Sequence, residues 1–398
     1  MADQNGKSDG AIIPHTLDDY FKTVPIGSVD KAISENLYGI NHRQTPGMVP
    51  SNKDMYGYTF FTRPQLNLQS DNILNMRFFY PLLTQNDMSI QRFVRCTLDP
   101  RLQHKLLYDV ANSNVPKDIG PLNCHLVDPE QVFIPILTNN IQSLSGWPDI
   151  TLPTFDSKKG LYNEVYSQAN GITRNYESFD LDVSFRNTRG DPILYMFYIW
   201  LHYSSLVFEG KLVPYPDFLA ENRIDYNTRI YRLVMDQNKT VVKKITATGA
   251  AFPISVPTGS FFDYSSEKPY NDQNKDITIR FRCMGSDYLD DILISEFNAA
   301  VGIFNPAMEK DKIEKDRKSK TSINSLVKVP VELLSAFNNR GYPYINRDTY
   351  ELEWYVKSTT FNSRTDALQL VSGGKPKVHS ISSDVDYSET GSSSNRGV

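Results

Sequence analysis

The chain of 398 residues balances 42 basic against 46 acidic side chains, which excludes the broad cationic surface of a tight nucleic-acid binder. Hydrophobic residues make up 40% and aromatics 12%, with 23 Tyr and 21 Phe, so wholesale disorder is excluded and strands and protein interfaces are favoured. The length suits two or three domains, and the three cysteines (Cys96, Cys124, Cys283) are too few and too scattered for a disulfide framework or a zinc signature, as in a protein made in a reducing cytoplasm.

Residues 1–55 read as a polar N-terminal arm with a short helix near Leu17–Phe21, without the basic and apolar regions of a signal peptide. Strand pieces at 58–64 and 65–68 flank Pro64, and the apolar segment 74–83 follows. Residues 88–112 show loose helical spacing broken at Asp99-Pro100, and 113–146 read as a loop with one strand at Gln131–Leu137. Residues 176–186 (YESFDLDVSFR) alternate strictly: Phe179, Leu181, Val183 and Phe185 on one face, Asp180, Asp182, Ser184 and Arg186 on the other, as in a strand with one buried face.

Asp191 as N-cap and Pro192 at the first position open one prominent helix, whose Ile193, Met196, Phe197, Trp200 and Leu201 form a core-facing stripe. The run 193–207 is too short and too polar to span a bilayer. Strands at 229–235 and 241–249 flank the hairpin turn 236–239; Pro253 and Pro257 pin an extended segment; and 276–283 (DITIRFRC) alternates again. The acidic run 286–291 lacks the glycine and spaced oxygens of a calcium loop and reads as a loop or helix start. A mixed charge run at 309–320 reads as solvated, 326–371 as a small unit with a helix near 331–337 and a strand at 350–357, and the Ser/Gly-rich 372–398 as a flexible tail. The expected division is therefore 1–55 arm; 56–305 β domain with an inserted segment at about 84–146; 306–371 small C-terminal subdomain; 372–398 tail.

No catalytic constellation stands out. The six histidines (His15, His42, His104, His125, His202, His379) never take metal-ligand spacing, and His202 reads as a satisfied residue of the apolar helix. Asp180 and Asp182 are the one carboxylate pair suited to acid/base work such as glycoside hydrolysis, but alternation alone places them on a solvated face. No cofactor, metal or membrane anchor is called for.

The order of elements resembles the tail-tube proteins of contractile-tailed bacteriophages and the tubes of type VI secretion and phage-like contractile systems. The likeness is carried by Gly146–Pro153 (GWPDITLP), Phe179–Phe185, Asp191–Tyr203 with Trp200, the hairpin Thr228–Met235 and Val241–Gly249, Ala251–Pro253 and Ile277–Phe281, with Phe61–Leu68 upstream. It covers about half the chain; residues 1–55, 78–145 and 300–398 exceed a simple tube subunit. The resemblance implies a β-rich α+β fold of two packed antiparallel sheets and one prominent helix. It also implies a non-enzymatic virion protein whose copies join edge to edge into hexameric rings that stack into a tube for DNA, contact the tail sheath and baseplate or neck proteins, and assemble in the host cytoplasm. The alternatives are a tube-like adaptor (initiator, baseplate hub or terminator) and a carbohydrate-active enzyme.

Overall fold

The computed structural model describes residues 54–103, 122, 124–173, 176–289, 291–309, 313, 326–337 and 340–362. Residues 1–53 of the expected arm, the segment 104–121, nearly all of the charge run and residues 363–398, which include the expected tail, lie outside them. The main elements are β1 (Met55–Phe61), α1 (Ile90–Leu98), β2 (Ile141–Ser145), β3 (Thr154–Asp156), β4 (Ser167–Ala169), β5 (Ser178–Arg186) and α2 (Pro192–Phe208). They continue with β6 (Ile230–Met235), β7 (Val242–Ser255), β8 (Asp276–Tyr288), α3 (Asp291–Val301), β9 (Leu326–Val329), β10 (Tyr342–Ile345) and β11 (Leu352–Lys357).

Six strands form one sheet in the order β1-β6-β7-β8-β5-β2, every neighbour antiparallel. A three-stranded sheet, β10-β11-β9, is also antiparallel, and β3 and β4 form a separate hairpin. The class is thus the expected β-rich α+β.

The sheet serves two cores. β5 and β8 turn Leu181, Val183, Phe185, Ile277, Ile279 and Phe281 toward α2. This helix starts at Pro192, whose fixed φ suits the first helical position. It buries Ile193, Met196, Phe197, Trp200 and Tyr203 at three- and four-residue spacing. Trp200 is fully buried, stacks on Phe197 and donates Nε1–H to the Tyr226 carbonyl at 2.9 Å. Asp191 does not cap the helix through its side chain as expected. Its backbone is left-handed (φ 51°), and its carboxylate instead accepts from Asn187 Nδ2 at 2.6 Å.

The second core lies on the other face of β1 and β6: Phe60 and Tyr231 enter it, while their neighbours Phe61 and Ile230 enter the first. There α3 contributes Leu293, Ile294, Phe297 and Val301, and the three-stranded sheet contributes Tyr342, Tyr344, Ile345 and Leu352, so two antiparallel sheets pack together. The acidic run 286–291 ends as the start of α3, with Asp291 in its first turn.

β7 passes from one core to the other, giving Val242, Ile245 and Ala247 to the second and Ala251 to the first. Ala247 and Ala251, four residues apart and so on one face of a regular strand, lie in different cores. The change occurs where Gly249 meets Gly285, whose φ is +71°. A Cβ on Gly249 would sit 2.6 Å from the Met284 carbonyl oxygen.

The segment 131–137, expected as a strand, makes only the isolated bridge Phe133–Thr62 before a short helix Pro135–Asn140 leads into β2. Pro135 at the first helical position decides this. Buried arginines hold these connections to the sheet. Arg63 donates to the carbonyls of Thr97 (2.9 Å), Gln131 (3.1 Å), Asp128 (3.3 Å) and Cys96. Burial lowers its pKa to about 10. Arg95 donates to the Leu68 and Leu82 carbonyls. Asp99 is fully buried and accepts from Tyr215 O–H at 2.8 Å, Leu68 N–H at 2.9 Å and Arg101 N–H at 3.1 Å.

Burial raises the Asp99 carboxyl to about 6 against these bonds. A raised carboxyl favours the folded state below its unfolded value and loses that contribution as pH rises through about 6. Between pH 4 and pH 7 the loss is on the order of 3 kcal/mol. Asp99→Asn removes the titration, so its stability relative to wild type should improve by that order from pH 4 to pH 7 in urea unfolding. Gly249→Ala should cost about 1–3 kcal/mol by the same assay, while Gly259→Ala, with open space around its Cβ, should stay within about 0.5.

Candidate assembly surfaces

The face of β5 and β8 opposite α2 is polar and open. In the nine-residue register of these strands, Asp180 stands opposite Arg282, Asp182 opposite Arg280, and Arg186 opposite Asp276. Cross-strand partners project from the same face. Arg280 donates Nε–H and Nη2–H to the two carboxylate oxygens of Asp182, at 2.8 and 3.3 Å. Arg282 donates to Asp180 at 2.8 Å and to Ser178 Oγ at 2.7 Å. The Arg280 guanidinium pKa is raised by its hydrogen bonds to Asp182. The sequence placed both aspartates correctly on a solvated face; their partners went unread, although the alternation of 276–283 puts Arg280 and Arg282 opposite the apolar set.

Two cavities, of about 380 and 590 Å3, are lined by neither Asp180 nor Asp182. His202 stacks on Phe78 at 4.4 Å between ring centres, and burial lowers its pKa. Among the described residues no group of three or more His, Cys, Asp or Glu side chains could hold a metal ion, and no helix is long and apolar enough to cross a membrane.

Among the described residues no strand pairs with the outer side of β2. Among the described residues the outer side of β1 is covered only at its end, where Ile134 N–H donates to the Phe61 carbonyl and Arg63 N–H to the Val132 carbonyl. Unpaired edges are templates for further strands.

Apolar protrusions leave both ends of the β5–β8 ladder. At the Ser178 end, residues 148–177 carry the β3–β4 hairpin, with Leu161 88% exposed, Tyr162 86% and Ile172 84%. Its base is held by Trp147, packed on Phe179 and Tyr288, and by Tyr288 O–H donating to the Pro148 carbonyl at 2.6 Å. At the Asp276 end, the loop after β7 exposes Phe262 (89%) and Tyr264 (91%). Contiguous apolar exposure of this kind marks protein-interaction surfaces.

Edge strands left unpaired among the described residues, with apolar projections at both ends of the central ladder, are surfaces of the kind by which a subunit meets other proteins. Residues 16–371 match the model of a family described as "Putative phage tail tube protein". The chain belongs to this phage tail tube family and is a structural component of a phage tail. No curated protein matches it. Among solved structures, the chain is similar to the tube-terminating cap of an anti-feeding prophage, with 16% identity over 39% of this chain and 81% of that one and a TM-score of 0.25. It is also similar to a chain of the sheath–tube complex of an extracellular contractile injection system, with 14% identity over 39% and 82% and a TM-score of 0.25.

Replacing Leu161 and Tyr162 together by Ser removes two side chains that are almost fully exposed. The thermal unfolding midpoint should hold, while self-association measured by sedimentation velocity should fall.

Proposed function

We propose that this protein is a tail-tube subunit whose copies join into hexameric rings, and that the rings stack into the conduit through which DNA passes. The observation that carries this reading is the sheet itself. It has six strands, all antiparallel, so its edge strands β1 and β2 run in opposite directions. Copies in one orientation, set side by side, therefore bring β2 of one against β1 of the next in antiparallel pairing. The strand alternation continues unbroken from subunit to subunit, and closing the ring removes the edges.

The remaining surfaces take the other roles. The apolar hairpin and the loop at 256–275 lie at opposite ends of the β5–β8 ladder, where they would meet neighbouring rings. The polar face of β5 and β8 lines the channel. The opposite, helical side turns outward toward a tail sheath, and the ends of the stack meet baseplate or neck proteins. No chemistry is required of the subunit.

Negative-stain electron microscopy of the purified protein over a range of concentrations tests the reading. Hollow six-fold rings or stacked tubes are expected; single particles at every concentration would overturn it. Copy number per virion, by quantitative mass spectrometry, separates a repeating tube subunit, present in many rings, from an adaptor at one end of the tube, present in one.

A further inference from the structure

Six charges occupy the exposed face of β5 and β8, three arginines and three aspartates, and the register sets each against its opposite. The signs are not sorted by strand: β5 contributes Asp180, Asp182 and Arg186, and β8 contributes Arg282, Arg280 and Asp276. Around them stand small polar and apolar groups, with Ser145 opposite Asp182 on β2 and Phe252 opposite Arg282 on β7. Unpaired arginines on an open sheet face would be a phosphate-binding surface, because the guanidinium fork fits a phosphate as it fits a carboxylate. Here that capacity is already engaged: Arg280 makes two bonds to Asp182, and Arg282 divides its donors between Asp180 and Ser178.

We infer that the aspartates act as internal substitutes for phosphate, masking the arginines so that this face meets the backbone of duplex DNA without holding it. The inference rests on the proposed function in taking DNA as the polyanion that passes this face. A surface of bare carboxylates would repel phosphate, and bare arginines would bind it and release counterions. Pairing in register gives a hydrated surface of no net charge that does neither. A purely structural role for the pairs predicts instead that removing the aspartates affects the sheet and leaves DNA binding as it was.

The experiment is a fluorescence-anisotropy titration of a short labelled duplex DNA, at low salt and through a salt series, with the full chain. Wild type should bind weakly at most. Asp180→Asn with Asp182→Asn frees two arginines and should tighten binding about tenfold or more, with a log–log salt slope steeper by about 1.8. Each single variant should steepen it by about 0.9 and keeps the test available if the double variant folds poorly. Adding Arg280→Gln and Arg282→Gln to the double variant should return binding to the wild-type level. Aspartate variants that fold, by circular dichroism, yet bind DNA no better than wild type would overturn the inference. Because the anisotropy assay requires no ring, and ring formation is read separately by electron microscopy, a failure of the tube reading and a failure of the masking are distinguishable.

Discussion

The nine consecutive residue pairs between β5 and β8 are the constraint on which the other features depend. Side chains on a strand alternate, so fixing the register fixes which residues meet α2 and which face outward; a slip of β5 by one residue would turn Leu181, Val183 and Phe185 to solvent and Asp180 and Asp182 into the core. The same register produces the arginine–aspartate pairs. Exposed pairs of this kind add little to stability individually. They do penalise wrong registers: a slip of two residues keeps one opposite-charge pair where the native register has three, and a slip of four sets Asp182 opposite Asp276 or Arg186 opposite Arg280. Packing under α2 and pairing on the open face thus select the same alignment.

The helical layer is attached by a different physics. Arg63 and Arg95 are almost fully buried, and the bonds described for them run mostly to main-chain carbonyls. Irregular backbone carries polar groups that must be satisfied once water is excluded. A guanidinium, with five donors in a fixed plane, satisfies several carbonyls at once. Arg63 thereby ties the end of β1 to the last turn of α1 and to the 128–131 segment. Arg101 adds a two-pronged bond to Asp217, at 2.9 and 2.6 Å, and lies over the ring of Tyr215. The described parts of the segment between β1 and β2, built of short helices and turns, are thereby bound to the body of the subunit.

What could be read in the sequence follows the range of the interactions. β5, α2 and the β6–β7 hairpin were legible because period-two alternation, a proline at the first helical position and a polar turn opened by an aspartate are local signals. Asp236 in that turn indeed accepts from the N–H groups of Thr240 and Val241. α3 was legible only as a possible start, because its acidic entry hides the apolar stripe of Leu293, Ile294, Phe297 and Val301. The segment at 131–137 misled because a short apolar run does not distinguish strand from helix. The charge pairs were out of reach: Asp180 and Arg282 are 102 residues apart, and only the fold sets them opposite each other. The edges of the sheet were equally hidden, since an edge is defined by which strands fail to pair.

The even number of strands has one more consequence. If a sheet of this kind were extended by an odd number of strands, antiparallel pairing between edges would require successive copies to alternate up and down, and the two rims of a ring would be equivalent. In the proposed ring, six strands would keep every copy in the same heading, so the hairpin with Leu161 and Tyr162 would crowd one rim and the loop with Phe262 and Tyr264 the other. A stack of such rings would be polar. Its two ends would offer different chemistry, one suited to whatever begins the tube and one to whatever finishes it, and growth could be controlled separately at each.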